Sequence, residues 1–443
     1  MKKIHITSLG CSKNTVDTEV LRGQLLTNGY TLVNIPETAD ILIINTCGFI
    51  NDAKEESIQA ILEAVELKKK DHKKQVFVAG CLSQRYPTEI KAEIPEVDAV
   101  FGTEDYTSIL SKIKGKRTFA DNLYQYRSLT TPAHYAYLKI SEGCNHSCSF
   151  CAIPGIRGRH RSRTIEEIIA EARLLADKGV KELIVISQDT SYYGIDLYKS
   201  QKIISLLETL NEIRDLEWIR VMYWYPSNFP MEVVEMIKQG SKILPYLDIP
   251  IQHISDHVLH LMKRGDTGQS IRKKLYRIRE LYPDIALRTT LILGHPGESD
   301  KDFDELISFI NEVKFDRLGT FIYSDEDGTE SYKLKNKVPR KTALERQKHI
   351  MEAQKLISLE KNQHRIGTVL SVIIDEADER KNIYSGRSVY DAPEIDNIIY
   401  LDSKGNHKLA SGSIIKAVVN DASEYDLFAT PVENSVVNNV PVI

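Results

Sequence analysis

Three cysteines fall within one short stretch, Cys144-Asn145-His146-Ser147-Cys148-Ser149-Phe150-Cys151, at the spacing C-x3-C-x2-C. Thiolates are soft ligands, and three on one loop can grip one face of a metal centre. A closed structural zinc site needs a fourth ligand and is usually built from C-x2-C pairs. Here His146 or His160 would have to complete it. On an iron–sulfur cube, three thiolates instead leave one iron open to a ligand that is not protein. Three more cysteines, Cys11, Cys47 and Cys81, are scattered over the first part of the chain. Taken singly, each reads as a small buried hydrophobe. Their neighbours Gly10, Gly48 and Gly80 let backbone approach a bulky group closely, so the three also read as ligands of a second centre with one open iron.

The elements that must carry these thiols follow from the alternation of apolar runs and helix-period stretches. Ile4 to Ser8, Ile41 to Asn45, Gln75 to Ala79 and Ala99 to Phe101 read as short strands, with helices over Thr15 to Asn28 and Ser57 to Lys69. Such alternation implies a Rossmann-like or flavodoxin-like parallel sheet. Cys11, Cys47 and Cys81 each follow one strand, and loops beyond the carboxyl ends of parallel strands converge on one edge. A polar connector covers 116–132. Ala133 to Ile140 is then the first strand of a second unit and delivers the cysteine loop. Thr164 and Glu167 match a capping box that opens a helix running to about Lys178. Glu182 to Ser187, Ile219 to Tyr223, Tyr246 to Ile249, Ala286 to Leu293 and Leu318 to Tyr323 complete about six strand–helix units. That pattern implies a partial (β/α)6 barrel with its chemistry at the strands' carboxyl ends. Ser187-Gln188-Asp189 and Gly294-His295-Pro296-Gly297-Glu298 sit at two such ends. The basic run from Arg157 to Arg163 reads either as a solvated loop or as a contact to substrate or cofactor.

The motifs carry a resemblance. The cysteine loop, with Phe150 just before its last thiol, resembles the radical S-adenosylmethionine (SAM) superfamily. Gly10-Cys11-Ser12-Lys13-Asn14, Asn45-Thr46-Cys47-Gly48-Phe49-Ile50 and Gly80-Cys81-Leu82-Ser83-Gln84-Arg85 resemble the amino-terminal signature of the methylthiotransferases. The resemblance runs over essentially the whole chain. It implies two [4Fe-4S] clusters, one on Cys144, Cys148 and Cys151 and one on Cys11, Cys47 and Cys81. It also implies SAM as cofactor, with Ser187, Gln188 and Asp189 near its methionine part, Phe150 near the adenine, and Arg288 pairing its carboxylate through a bidentate fork. The implied chemistry begins with cleavage of SAM to a 5′-deoxyadenosyl radical that abstracts a hydrogen. Sulfur then comes from the first cluster and a methyl group from a second SAM. An unactivated C–H bond lies outside the reach of side-chain acid–base catalysis, so the cofactors must carry that step.

After a helix-rich stretch from Pro339 to Gln363, the runs Val369 to Ile374, Ile398 to Leu401, Ile414 to Asn420 and Asp426 to Ala429 suggest a five-stranded antiparallel OB-like barrel. Its position resembles the TRAM domain of the methylthiotransferases. From Thr368 onward the chain holds twelve acids and six bases. An RNA-binding module would present a basic face, whereas an acidic one steers in a basic protein. Within the family this points to the branch that modifies an aspartate β-carbon of protein S12 of the small ribosomal subunit. Gly386-Arg387-Ser388 and Asp391-Ala392-Pro393-Glu394-Ile395-Asp396 resemble that branch. The alternatives are a tRNA adenosine methylthiotransferase and a non-catalytic metal-binding protein of the ribosome.

The totals agree with a large enzyme. At 443 residues the chain exceeds one ordinary core, giving expected domains at 1–115, 133–365 and 366–443 around the connector. A net charge of −4 supplies no global field for nucleic acid, so RNA contact is secondary. Six cysteines are too few for a disulfide scaffold. With no apolar leader or spanning run, the expectation is a cytoplasmic protein without membrane contact, fed by an external electron donor.

Overall fold

A computed structural model of the chain describes residues 2–114, 123–378, 383–402 and 409–436. Residues 115–122, which include the first part of the expected connector 116–132, lie outside the described residues. The amino-terminal unit contains β1 (Lys3–Ser8), α1 (Ser12–Thr27), β2 (Thr31–Leu32), β3 (Ile41–Thr46), α2 (Asn51–Lys70), β4 (Gln75–Gly80), α3 (Cys81–Arg85), α4 (Pro87–Glu93), β5 (Ala99–Val100) and α5 (Tyr106–Lys114). Its strands pair in parallel in the flavodoxin-like order β2-β1-β3-β4-β5. Every residue of β3 is buried, which is why Ile-Leu-Ile-Ile runs unbroken: a parallel strand is covered on both faces. β2 escapes sequence reading because only two residues pair.

The second unit starts with β6 (Tyr135–Lys139). A small antiparallel pair, β7 (Ser141–Glu142) and β8 (Arg161–Ser162), closes the base of the cysteine loop and brackets α6 (Ile153–Arg157). There follow α7 (Ile165–Asp177), β9 (Glu182–Ile186), α8 (Ile195–Tyr198), α9 (Ile203–Asn211), β10 (Trp218–Val221), α10 (Glu232–Lys238), β11 (Ile243–Asp248), α11 (Asp256–Leu261), α12 (Gly268–Leu281), β12 (Ala286–Leu293), α13 (Asp300–Val313), β13 (Arg317–Ile322) and α14 (Arg340–Gln363). The strands form an open parallel sheet, β13-β12-β11-β10-β9-β6. The capping box of α7 is made in both directions, Thr164 to the Glu167 amide and Glu167 to the Thr164 amide.

The carboxyl-terminal unit comprises β14 (Val369–Asp378), β15 (Ile383–Ser388), β16 (Ile399–Leu401), β17 (Ile414–Ala422) and β18 (Leu427–Val436), closed in the order β14-β15-β16-β18-β17. The expectation of an antiparallel barrel needs one correction, since β16 and β18 run parallel. Five strands cannot alternate in direction around a closed ring, so one pair must break the alternation.

The segment between β15 and β16 plugs the inner face of the open sheet. Arg220 donates to the carbonyls of Val389 (3.0 Å) and Ser388 (3.3 Å), Tyr246 to Asp396 (2.7 Å), and Arg317 to Asp391 (2.9 Å through Nε). These contacts alter the charge argument. Asp375, Asp391, Glu394 and Asp396 all bond to barrel side chains, as does Arg387 through Glu182. Setting them aside halves the acid excess, from six to three.

The connector also differs from expectation. Arg127 is buried between Glu19 of α1 (2.8 Å), Glu171 of α7 and the Tyr137 carbonyl (2.6 Å). Gly23 of α1 has no side chain because the connector crosses there: a Cβ would lie 1.8 Å from the Tyr126 oxygen.

Candidate functional site: two cysteine triads at one gap

The carboxyl edge of the amino-terminal sheet gathers the scattered thiols. Cys11 precedes the first turn of α1, Cys47 follows β3, and Cys81 opens α3 directly after β4. Two glycines make the approach possible. A Cβ on Gly10 (φ +88°) would sit 2.9 Å from the Cys47 sulfur, and one on Gly80 (φ +99°) would meet Asn45 and Thr46 within 2.6 Å. The Cys81 thiol faces Asn14 Oδ1 at 3.6 Å. Burial, opposed by the Arg157 charge and aided by the nearby Cys11 and Cys47, pushes Cys81 up to about 12.

The second triad lies at the mouth of the open barrel, on the loop after β6. Burial raises Cys144 to about 11 and Cys151 to about 12. Thiols held protonated at neutral pH make poor nucleophiles but good metal ligands, because a coordinating metal removes the proton outright. The zinc alternative finds no support in the geometry, because among the described residues no three histidine or cysteine donors gather within 4.8 Å of one another. His146 bonds Asp189 (2.6 Å) and stacks flat on Tyr225 (3.7 Å, 7°), while His160 contacts Ser162 (3.1 Å).

Around this mouth several buried polar atoms have no partner among the described residues: Gln188 Oε1, Asp189 Oδ1, Gln252 Oε1 and Arg264 Nε. A pocket left with both acceptors and a donor unsatisfied fits a zwitterionic ligand such as the methionine part of SAM. Phe150 lies nearby, edge-on to His295. Ser187 is fully buried and bonds Ser141 (2.6 Å), which makes it a support rather than a wall of the pocket.

Arg288 requires correction. It is the third residue of β12, bonded to Asp248 (2.8 Å) and facing Asp396 of the plug (3.4 Å). Its fork is occupied by the chain's own carboxylates. The arginine beside the cysteine loop is Arg264, which lies 4.0 Å from Cys148 Sγ and stacks on Tyr225 at 4.1 Å. Sequence reading missed Arg264, which follows the short helix α11, and Gln252, which follows β11, because each is a single polar residue without motif spacing. The left-handed backbone of Gln252 (φ +70°) is a signal visible only in three dimensions.

A buried ionic seam joins the amino-terminal unit to the base of the cysteine loop. Arg157 is buried and donates to Glu142 (2.9 and 3.0 Å), Asn14 (2.5 Å) and Asp17 (3.0 Å), with its charge beside Cys81. The basic run is therefore no solvated loop at this residue. Asp17, Glu104 and Glu142 cluster as metal ligands would, yet the Lys139 ammonium sits among them. Burial alone would raise Glu142, but Lys139 and Arg157 outweigh it and hold its carboxyl far below the usual range. Lys13, two residues after Cys11, places its ammonium 3.1 Å over the ring of Tyr223 at the barrel mouth.

Comparison with known proteins agrees with this architecture. Residues 3–102 match Uncharacterized protein family UPF0004, 138–310 the Radical SAM superfamily and 366–432 the TRAM domain. The radical S-adenosylmethionine methyltransferase TsrM from Kitasatospora setae superposes with a TM-score of 0.55 over 84% of this chain and 80% of its own. At 11% identity that likeness speaks for the fold alone. Sequence relatives are nearer. The ribosomal protein uS12 methylthiotransferase RimO of Christiangramia forsetii is 45% identical over 97% of this chain and 94% of its own. Those of Aquifex aeolicus and Clostridioides difficile are each 46% identical over 96% of the chain, covering 96% and 98% of their own lengths. The chain thus belongs to the ribosomal protein uS12 methylthiotransferase family, radical-SAM transferases that work with SAM and [4Fe-4S] clusters.

Proposed function

We propose that this protein replaces a hydrogen on the β-carbon of an aspartate in ribosomal protein S12 with a methylthio group. The observation that carries the reading is the buried seam on Arg157, whose charge lies beside Cys81 and whose partner Glu142 stands two residues before Cys144. Cys144, Cys148 and Cys151 would hold one cluster and Cys11, Cys47 and Cys81 the other. Bound there, the cofactors supply radical chemistry for an unactivated carbon, together with sulfur and a methyl group.

The chain's own contribution is orientation and exclusion of water. Asp189 and Tyr225 fix His146 beside the cysteine loop. Gln188, Asp189, Gln252 and Arg264 offer their unsatisfied atoms to SAM, while Phe150 and Ser187 shape and support its pocket. Arg157, Lys139 and Glu142 seal the gap between the units, since a carbon radical is quenched by stray donors. We assign 1–115, 133–365 and 366–443 as the first-cluster, radical and TRAM domains, joined by 116–132. The substrate places the enzyme in the cytoplasm, and reducing equivalents come from a separate donor. No helix among the described residues is long and apolar enough to cross a membrane.

The test is anaerobic reconstitution with iron, sulfide, SAM and a reductant, followed by mass spectrometry of the basic ribosomal protein. The expected result is a methylthio adduct on one aspartate peptide. Modification of a tRNA adenosine instead would transfer the assignment to the nucleic-acid branch. Failure to release 5′-deoxyadenosine from SAM would remove the enzymatic reading altogether.

A further inference from the structure

The connection from β13 to α14 touches both cysteine sets. Glu326 is 2% exposed, and its Oε2 accepts from Arg85 (2.6 Å) and Lys54 (2.8 Å) of the amino-terminal unit. Its other oxygen accepts from Ser324 (2.7 Å). Arg85 closes α3, four residues beyond Cys81. The same guanidinium donates to the carbonyl of Gly48 (3.1 Å), next to Cys47, and to the carbonyl (2.7 Å) and carboxylate (2.8 Å) of Asp327.

Five residues further on, Ser331 is fully buried. Its amide donates to the Ser149 carbonyl and its hydroxyl to Ser149 Oγ, both at 2.7 Å. Ser149 lies between Cys148 and Cys151. His295 braces Ser331 from below (2.8 Å), and Thr329 ties the intervening turn back to the Glu326 carbonyl (2.6 Å).

We propose that residues 326–331 are a clamp that sets the separation of the two cysteine sets, with Glu326 as its positioning residue. Glu326 touches neither set directly. It acts through Arg85, which holds the Cys47 and Cys81 loops, while the far end of the same turn is bonded to the Cys148–Cys151 loop. A buried carboxylate with two cationic partners from another unit fixes a distance better than apolar contact does, because charge-assisted hydrogen bonds are short and directional. This inference rests on the proposed division of labour between the two sets and adds how their spacing is held.

The experiment uses the full chain carrying Glu326→Gln, with Lys54→Met as a milder second variant in case the first folds poorly. Asp325→Asn, at a half-exposed carboxylate just outside the clamp that pairs with Lys337, serves as control. Three readouts are taken: iron content with 5′-deoxyadenosine release, methylthio product, and amide hydrogen exchange in the cluster-free chain. The expected outcome for Glu326→Gln is full iron loading, SAM cleavage within twofold of the parent, and methylthio transfer lowered at least tenfold. Exchange should quicken over 46–52 and 81–87 while the barrel strands stay protected. Parallel loss of cleavage and transfer, transfer within twofold of the parent, or unchanged exchange in those loops would each overturn the clamp. If the parent cleaves SAM yet methylthiolates nothing, the functional reading fails, and the exchange result still decides the clamp.

Discussion

A guanidinium stacked on a tyrosine ring 4.0 Å from a thiol sulfur is a residue-scale arrangement with a definite consequence. Arg264 presents a planar fork, and Tyr225 orients it by cation–π contact. Lysine would keep the charge and lose both the stacking and the second donor. Arg264→Lys is therefore expected to raise the KM for SAM about tenfold, near 1.4 kcal/mol, with iron content unchanged. Titrating SAM at fixed reductant while following 5′-deoxyadenosine checks it; an unchanged KM would place Arg264 outside the pocket. The cysteines predict a sharper division. Cys47→Ala should abolish methylthio transfer while SAM cleavage continues, and Cys148→Ala should abolish both. Loss of cleavage in Cys47→Ala would contradict separate roles for the two sets.

At the scale of elements, Arg127 stands where the connector, α1 and α7 meet. Removing one partner of a buried ion pair strands the others, at a cost of about 3–5 kcal/mol. Arg127→Ala leaves buried Glu19 without its cation while Arg163 still pairs Glu171 (2.6 Å), so a fall toward the lower end of that range in unfolding free energy is expected from denaturant titration. A loss below 1 kcal/mol would mean that water reaches the seam. The same elements show what a sequence reveals. β12 was legible to its end residues, Ala286 to Leu293, because it is a long run bounded by turn signals. β15 was not, because Ser385-Gly386-Arg387-Ser388 are poor strand formers. Gly386 is required by close approach to the Ile373 carbonyl, and Arg387 by Glu182 across the interface. The cysteine loops were readable from topology, since parallel strands send their carboxyl-end loops to one edge. Arg264, Gln252 and the true partners of Arg288 depend on contacts between residues far apart in the chain, and no local pattern encodes those.

The whole molecule is three units around one partial barrel: the amino-terminal sheet faces its mouth, and the small β-barrel plugs its inner face. The plug is held by charge. Burial would raise both Glu182 and Asp375, but Arg387 and Arg220 hold Glu182 below the ordinary carboxylate range, and His134 and Arg387 do the same for Asp375. A carboxylate depressed in the folded state contributes stability that is fully present above its unfolded pKa and disappears as pH falls through the folded value. The contribution of these two carboxylates should thus be constant from neutrality down to about pH 4, the unfolded carboxylate range, and weaken below it, while burial raises Asp396 of the plug, whose protonation opposes that loss. Trp218 reports the event, because it is 4% exposed in the same apolar cluster as Val389 and Ala392 of the plug. Lowering the pH from 7 to 3 should red-shift tryptophan emission in a step that precedes loss of helical signal. Glu182→Gln should weaken docking at neutral pH and flatten that step, because the charge that titrates is gone while Arg387 and Arg220 remain buried. A red shift beginning above pH 5, or one unchanged in Glu182→Gln, would show that apolar contact rather than this ionic lattice holds the plug in the barrel.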